Sequence, residues 1–139
     1  MLVSDPRYIH VVAGALCSSG HVLIAQRPPG KHMAGGWEFP GGKLDSGEES
    51  LAGLKRELKE ELNVDVHSAE LVDKCTHNYP DRRILLELWA VTHYEGIPAS
   101  NEGQAIKWVA IDTLHQVGML PADEPLVKAL QARCSSRVT

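Results

Sequence analysis

The stretch that most constrains this chain runs from Gly42 through Leu44-Asp45-Ser46-Gly47-Glu48 and Arg56-Glu57-Leu58-Lys59-Glu60-Glu61 to Asn63-Val64. It opens as a glycine loop and continues as a helix. Leu51, Leu54, Leu58 and Leu62 recur at helical spacing, so one face of that helix is an apolar stripe that must be buried. Asp45 or Ser46 is suited to cap its N-terminus. Beside the stripe, Glu57 and Glu61 stand four apart and Glu60 three beyond Glu57, so the three carboxylates share one arc. Gly53, one turn before Glu57, leaves that side of the arc without a side chain. Like charges at this spacing repel, which costs stability unless a cation sits among them. Hard divalent ions, Mg²⁺ with Mn²⁺ as its substitute, prefer such oxygen ligands. Taken alone, the arc also reads as a solvated acidic helix face.

The rest of the chain alternates strand signals with turns. Tyr8–Cys17 and His21–Gln26 are rich in β-formers and join at Ser18-Ser19-Gly20, which predicts a hairpin. Gly14 inside the first strand predicts close backbone approach or a bulge. Arg27 to His32 is a loop in which Arg27 and His32 either are solvated or reach a triphosphate or base, while Lys31 reads as solvated. Trp37 and Phe39 alternate with Glu38 as a short strand. Gly41-Gly42 is either a plain turn or a place where backbone approaches a ligand, with carbonyls free for a metal. Leu71–Tyr79 and Arg83–Tyr94 pair across Pro80-Asp81, and the second is apolar enough to be central and buried on both faces. Glu102 lies in a polar loop from Glu95 to Gly103, either exposed or aiding a metal or water. A strand from Ala105 to Ile111 follows, then a short helix from Asp112 to Val117. A last helix runs from Pro121 to about Ala132. Ser135 to Thr139 is expected to fray.

At 139 residues the chain is read as one domain, residues 1–139, with enough length for a core. Hydrophobic residues at 43% and charged residues at 23% describe an ordinary globular protein. A formal net charge of −4 argues against a nucleic-acid polymer as partner, but not against a nucleotide held through a cation. Cys17, Cys75 and Cys134 form no Cys-x-x-Cys and read as packing thiols in a reducing compartment. No signal peptide and no membrane-spanning run is evident, so a cytoplasmic location is expected. The histidines form no His-x-x-x-His pair, so zinc is not suggested, and no Ser-His-Asp arrangement is evident from spacing.

Gly42, five residues, Glu48, seven residues, Arg56-Glu57-Leu58, then Glu60-Glu61 and Asn63-Val64 resembles the Nudix box, residues 42–64 here, at every polar position. Asn63 stands where the family usually has glycine. Asn is the next residue best suited to the left-handed conformation that ends a helix there. His32-Met33, Glu38 to Lys43, Tyr79 to Arg82, Glu102-Gly103-Gln104 and Pro121 to Pro125 look like the MutT branch of the same family. The resemblance implies an α+β Nudix fold, an α/β/α sandwich with a central curved mixed sheet and the box as loop-helix-loop. It implies Mg²⁺-dependent hydrolysis of a nucleoside triphosphate to the monophosphate and pyrophosphate. The substrate implied is 8-oxo-dGTP, removed from the nucleotide pool, with CTP or modified pyrimidine triphosphates as the alternative.

Carried over by position, the Gly42 carbonyl, Glu57, Glu60 and Glu61 would hold metal with Glu102 assisting, and Glu57 would orient or deprotonate water. Arg56 would pair with Glu48 and fix the loop to the helix. Arg27, His32, Phe39, Tyr79 and Asp123 would line the nucleotide pocket. Asp123 departs from the usual MutT asparagine, which puts the 8-oxo preference in question. It is also suited to cap the helix that follows. Rival readings are a non-catalytic nucleotide-binding Nudix module and a hydrolase of dinucleoside polyphosphates or sugar nucleotides. A monomer is expected, with a dimer the alternative.

Overall fold

A computed structural model describes residues 7–136. Strand β1 (Ile9–Ser18) is its hub. It turns into β2 (His21–Gln26), with Ser18 opposite His21. Ser19 and Gly20, at φ 50° and 78°, supply the two positive φ angles that such a two-residue hairpin turn needs. On the same edge but nearer its start, β1 pairs with β4 (Gly41–Lys43), Val12 opposite Gly42. Its other edge takes β6 (Arg82–Glu95) in parallel, from Ile9 opposite Ile84 to Leu16 opposite Val91. β5 (Asp65–Tyr79) lies antiparallel outside β6. β3 (Trp37–Glu38) and β7 (Ile106–Ala110) both pair with β2. One parallel pair among antiparallel ones makes the sheet mixed, and its seven strands do not close into a barrel.

Helices cover both faces because the strands alternate. Val12, Leu16 and Leu23 face α1 (Ser50–Leu62), whose Leu54, Leu58 and Leu62 are fully buried on them. Ala13, Ala15, Val22 and Ile24 face the other way, against Leu126 and Leu130 of α2 (Glu124–Ser136). β6 sends Leu86 and Leu88 to the α2 side and Val91 to the α1 side, as a strand buried on both faces must. A Cβ on Gly14 would stand 2.7 Å from a Leu58 methyl, so the close approach expected there is to α1. Asn63 ends α1 at φ 59°, ψ 38°, the left-handed conformation expected of it.

Several boundaries differ from expectation. α1 starts at Ser50 with Glu49 as its cap residue and no side-chain cap. Asp45 and Ser46 sit in a separate turn, closed by Glu48 N–H on Asp45 O at 3.0 Å. β5 starts at Asp65, six residues early, because as an edge strand it needs no apolar run, and irregular pairing interrupts it near Ser68 and Val72. The helix expected at Asp112 is a 3-10 turn over Ile111–Gln116 without a side-chain cap. Pro121–Asp123 forms a second 3-10 turn, and α2 begins only at Glu124 and runs to Ser136. The tail expected to fray therefore begins within α2, and residues 137–139 lie outside the described part.

Candidate active site

The box is held shut by one guanidinium. Arg56 Nε donates to Glu48 Oε2 at 2.8 Å and Nη2 to Glu48 Oε1 at 2.9 Å, a bidentate pair. Nη2 also reaches Lys43 O at 3.0 Å, and Nη1 reaches Glu57 Oε1 at 2.9 Å. Glu60 lies 3.4 Å from the same Nη1. Glu48 Oε1 in turn accepts the Asp45 N–H at 2.9 Å. These hydrogen bonds, Arg56 first, hold the Glu48 carboxyl down to about 2. The loop can close this tightly because Gly53 has no side chain, since a Cβ there would stand 2.2 Å from Leu44 and 3.0 Å from Glu48 Oε1.

Beyond Arg56 the acids gather around the β4 glycines. The Glu57 carboxylate packs on Gly42, where a Cβ would stand 2.3 Å from Glu57 Oε2. Glu61 is buried at 8% exposure, and accepts the Gly41 N–H at 3.1 Å and Gln104 Nε2 at 3.0 Å. Glu60 is more exposed, with its carboxylate 3.4 Å from Arg56 and its carbonyl accepting Asn101 Nδ2 at 3.2 Å. The loop with Glu102 is docked on the C-terminal carbonyls of α1: Asn101 N–H on Glu61 O at 3.0 Å and Ala99 N–H on Leu62 O at 2.9 Å. Glu102 is exposed, yet near enough to raise both Glu57 and Glu61 electrostatically.

Burial pushes Glu61 up to about 8, with the neighbouring Glu102 and Glu38 adding to it. Burial likewise raises Glu57. A carboxyl whose folded pKa exceeds its unfolded value stabilises the fold below the unfolded value and loses that contribution as pH rises through the folded one. The metal-free protein should therefore lose thermal stability between about pH 4.5 and about pH 8. Glu61→Gln should flatten that part of the profile, as read by melting temperature against pH in chelator.

A cleft of about 180 Å³ runs from Gly41 and Gly42 to Asp123, over a floor that includes Val11, Ala13, Ile84 and Leu86. The five residues expected at a nucleotide pocket, Arg27, His32, Phe39, Tyr79 and Asp123, all line it. Asp123 is 5% exposed, and its Oδ2 accepts the Phe39 N–H at 3.1 Å, which ties the 3-10 turn before α2 to the residue just after β3. Burial raises its pKa to about 7. The Tyr79 ring meets the His32 ring edge-on at 4.9 Å, and the Arg82 guanidinium lies 5.5 Å from its centre. Lys31 is exposed.

Met33, Glu38 and Arg82 also line the cleft; they fall in stretches that resemble the MutT branch but were not named as pocket residues from the sequence. Glu38 carried a signal, being a charge between two aromatics in a short strand. Arg82 Nε is enclosed without a hydrogen-bond partner, which no sequence pattern announces.

Among the described residues no three His, Cys, Asp or Glu side chains form a closed cage for a metal ion. Glu57 and Glu60 are turned to Arg56, and Glu61 to Gly41 and Gln104. The donor set nevertheless fits a hard divalent cation. It is all oxygen, it is crowded on one helix arc, and two of its carboxyls are raised by burial, which an added positive charge would relieve.

An open mixed sheet between two helices, with a glycine loop, an acid-lined helix and a cleft beside them, defines a Nudix-type hydrolase acting on phosphorus anhydrides. Residues 11–129 match the family described as NUDIX domain, and the chain belongs to that family, in its MutT branch. It is 42% identical over 100 residues to an 8-oxo-dGTP diphosphatase of Proteus vulgaris, covering 71% of this chain and 89% of that protein. It is 36% identical to a CTP pyrophosphohydrolase of Escherichia coli, covering 94% of this chain and 97% of that one. The solved structure of the E. coli ORF135 protein superposes at a TM-score of 0.85 with 35% identity, over 96% of this chain and 95% of that one. Nudix hydrolases work with a divalent metal, and their substrates are small nucleotides. Among the described residues no helix is long and apolar enough to cross a membrane.

Proposed function

We propose that this chain hydrolyses a nucleoside triphosphate to the monophosphate and pyrophosphate with Mg²⁺, acting in the cytoplasm as a monomer to clear unwanted triphosphates. The observation that carries the reading is the cleft itself, with a buried hydrogen-bonding carboxyl at one end and, at the other, Gly41 and Gly42, on which Glu61 and Glu57 pack. That layout suits a base at Asp123 and phosphates over Gly42, Glu57, Glu60 and Glu61. A divalent ion held there by Glu57, Glu60, Glu61 and the Gly42 carbonyl, with Glu102 assisting, would offset phosphate charge and lower the pKa of water.

The chain's own residues supply the rest. Arg56 fixes Glu57 and the Glu48 loop in place. Glu57, which packs on Gly42, would orient or deprotonate the attacking water. Phe39 and Tyr79, which line the cleft, would flank the base. The non-catalytic rival would lack an acid of the arc, and none is missing here.

8-oxo-dGTP is the leading substrate and CTP the alternative, because relatives carrying each name lie close to this chain. Panel assays of dGTP, 8-oxo-dGTP, CTP, dCTP and 5-methyl-dCTP with Mg²⁺, scoring pyrophosphate, separate them. No pyrophosphate from any member would overturn the proposal.

Asp123 bears on the choice. Ionised Asp only accepts hydrogen bonds, which suits the N–H donors of guanine or the amino group of cytosine. Asn also donates, which suits guanine O6. Neither touches the 8-oxo group. A good bidentate base contact is worth about 1–3 kcal/mol of discrimination. Asp123→Asn should therefore move the ratio of kcat/KM for 8-oxo-dGTP over CTP about tenfold toward 8-oxo-dGTP above pH 7. Below about pH 7 wild-type Asp123 is protonated and can donate as Asn does, so the two proteins should converge. A ratio unchanged at every pH would leave Asp123 a structural tie to Phe39.

A further inference from the structure

Arg27 faces the cleft, and its charge is already engaged. Its Nε donates to His32 O at 3.0 Å, and its Nη1 stands 3.6 Å from Glu38 Oε2. Its backbone closes the base of the same loop: Arg27 N–H on Gly36 O at 2.9 Å, and Gly35 N–H on Arg27 O at 3.0 Å. Gln26 Nε2 adds a bond to Gly35 O at 3.0 Å. The loop so enclosed, residues 28–35, carries His32 and Met33 into the cleft wall. Met33 sits at φ 62°, a left-handed conformation that a side-chain-bearing residue holds only when its surroundings impose it.

Glu38 is the other half of this arrangement. Burial raises its pKa, and Arg27 is the first of the groups that pull it back toward ionisation. The Glu38 charge is felt by Asp123 and Tyr79 at the base end and by Glu61 at the acid end.

We infer that Arg27 and Glu38 are positioning residues for the base end of the cleft: they clasp the 28–35 loop so that His32 and Met33 form its wall. A guanidinium suits this role because its planar fork reaches a carbonyl and a carboxylate at once, whereas a lysine ammonium supplies charge without the fork. The inference rests on the reading that a nucleotide base occupies this cleft.

The experiment compares a ligand that has no phosphate with one that does. Wild type, Arg27→Lys, Arg27→Ala, Glu38→Gln, Glu38→Ala and the Arg27→Ala/Glu38→Ala double variant are assayed for KM and kcat on the better panel substrate. Each is also assayed for competitive inhibition by the corresponding nucleoside, 8-oxo-deoxyguanosine or cytidine, with melting curves to confirm folding. If the clasp is right, Arg27→Lys and Arg27→Ala weaken the nucleoside Ki and the triphosphate KM by the same factor, about tenfold, while kcat changes less. Glu38→Gln, which keeps an acceptor for Arg27, should do so more mildly. Arg27→Ala and Glu38→Ala combined should cost less than the sum of the single changes.

A nucleoside Ki unchanged in Arg27→Ala beside a raised triphosphate KM, with Arg27→Lys near wild type, would overturn the clasp and make Arg27 a phosphate contact. Wild-type protein that hydrolyses no triphosphate would overturn the nucleotide reading, and the clasp with it. Turnover without nucleoside inhibition of wild type would overturn the clasp alone.

Discussion

Glu61→Gln is expected to cut kcat on the preferred triphosphate by about 10²–10³ while leaving the fold intact. Glu61 is the most enclosed acid of the arc, placed by α1 against β4 and the Gln104 loop. Glutamine has the same shape, and its amide oxygen can still accept the Gly41 N–H. What it lacks is the negative charge that a divalent ion requires, and burial makes that charge costly to hold without the ion. The variant should melt at least as high as wild type in chelator above about pH 8, since it is freed of a buried carboxylate. It should also gain less stability from Mg²⁺ than wild type does. Full turnover in a folded Glu61→Gln protein would remove Glu61 from the metal set.

Arg56→Lys is expected to lower kcat by about tenfold to a hundredfold, although the charge is kept. Arg56 serves Glu48 with two nitrogens, Lys43 O with one of these, and Glu57 with the third. A lysine ammonium cannot span those directions. Without the fork the Leu44–Glu48 loop is no longer fixed on Gly53, and the Glu57 carboxylate is no longer held at Gly42. Stability should fall much less than activity, because the α1 core of Leu54, Leu58 and Leu62 does not depend on this pair. Measuring kcat, KM and melting temperature together separates the two effects. Equal loss of activity and folding would make Arg56 a structural residue only.

The box was legible in the sequence because its information is local. Leucine spacing fixed which side of α1 is buried, and Asn63 at the helix end marked the left-handed stop. Edge strand β5 was read short because Asp65 to Glu70 needs no apolar run when only β6 pairs with it. The helix cap was misplaced because Asp45 and Ser46 look like caps, while Arg56 draws the loop through Glu48 instead. That Glu38, Met33 and Arg82 line the cleft was not legible, because their place depends on segments from distant parts of the chain. The bond from Phe39 to Asp123, 84 residues apart, could be found only in three dimensions.

Water is expected to break a phosphoanhydride so that a nucleoside monophosphate and pyrophosphate leave the cleft. Hydrolysis of the preferred triphosphate in ¹⁸O-water with Mg²⁺, followed by mass spectrometry of both products, tests it most directly. Attack at the β-phosphorus, which resemblance to the MutT branch implies, places the label in pyrophosphate and leaves the monophosphate unlabelled. Label in the monophosphate alone, or orthophosphate as the first product, would contradict the account.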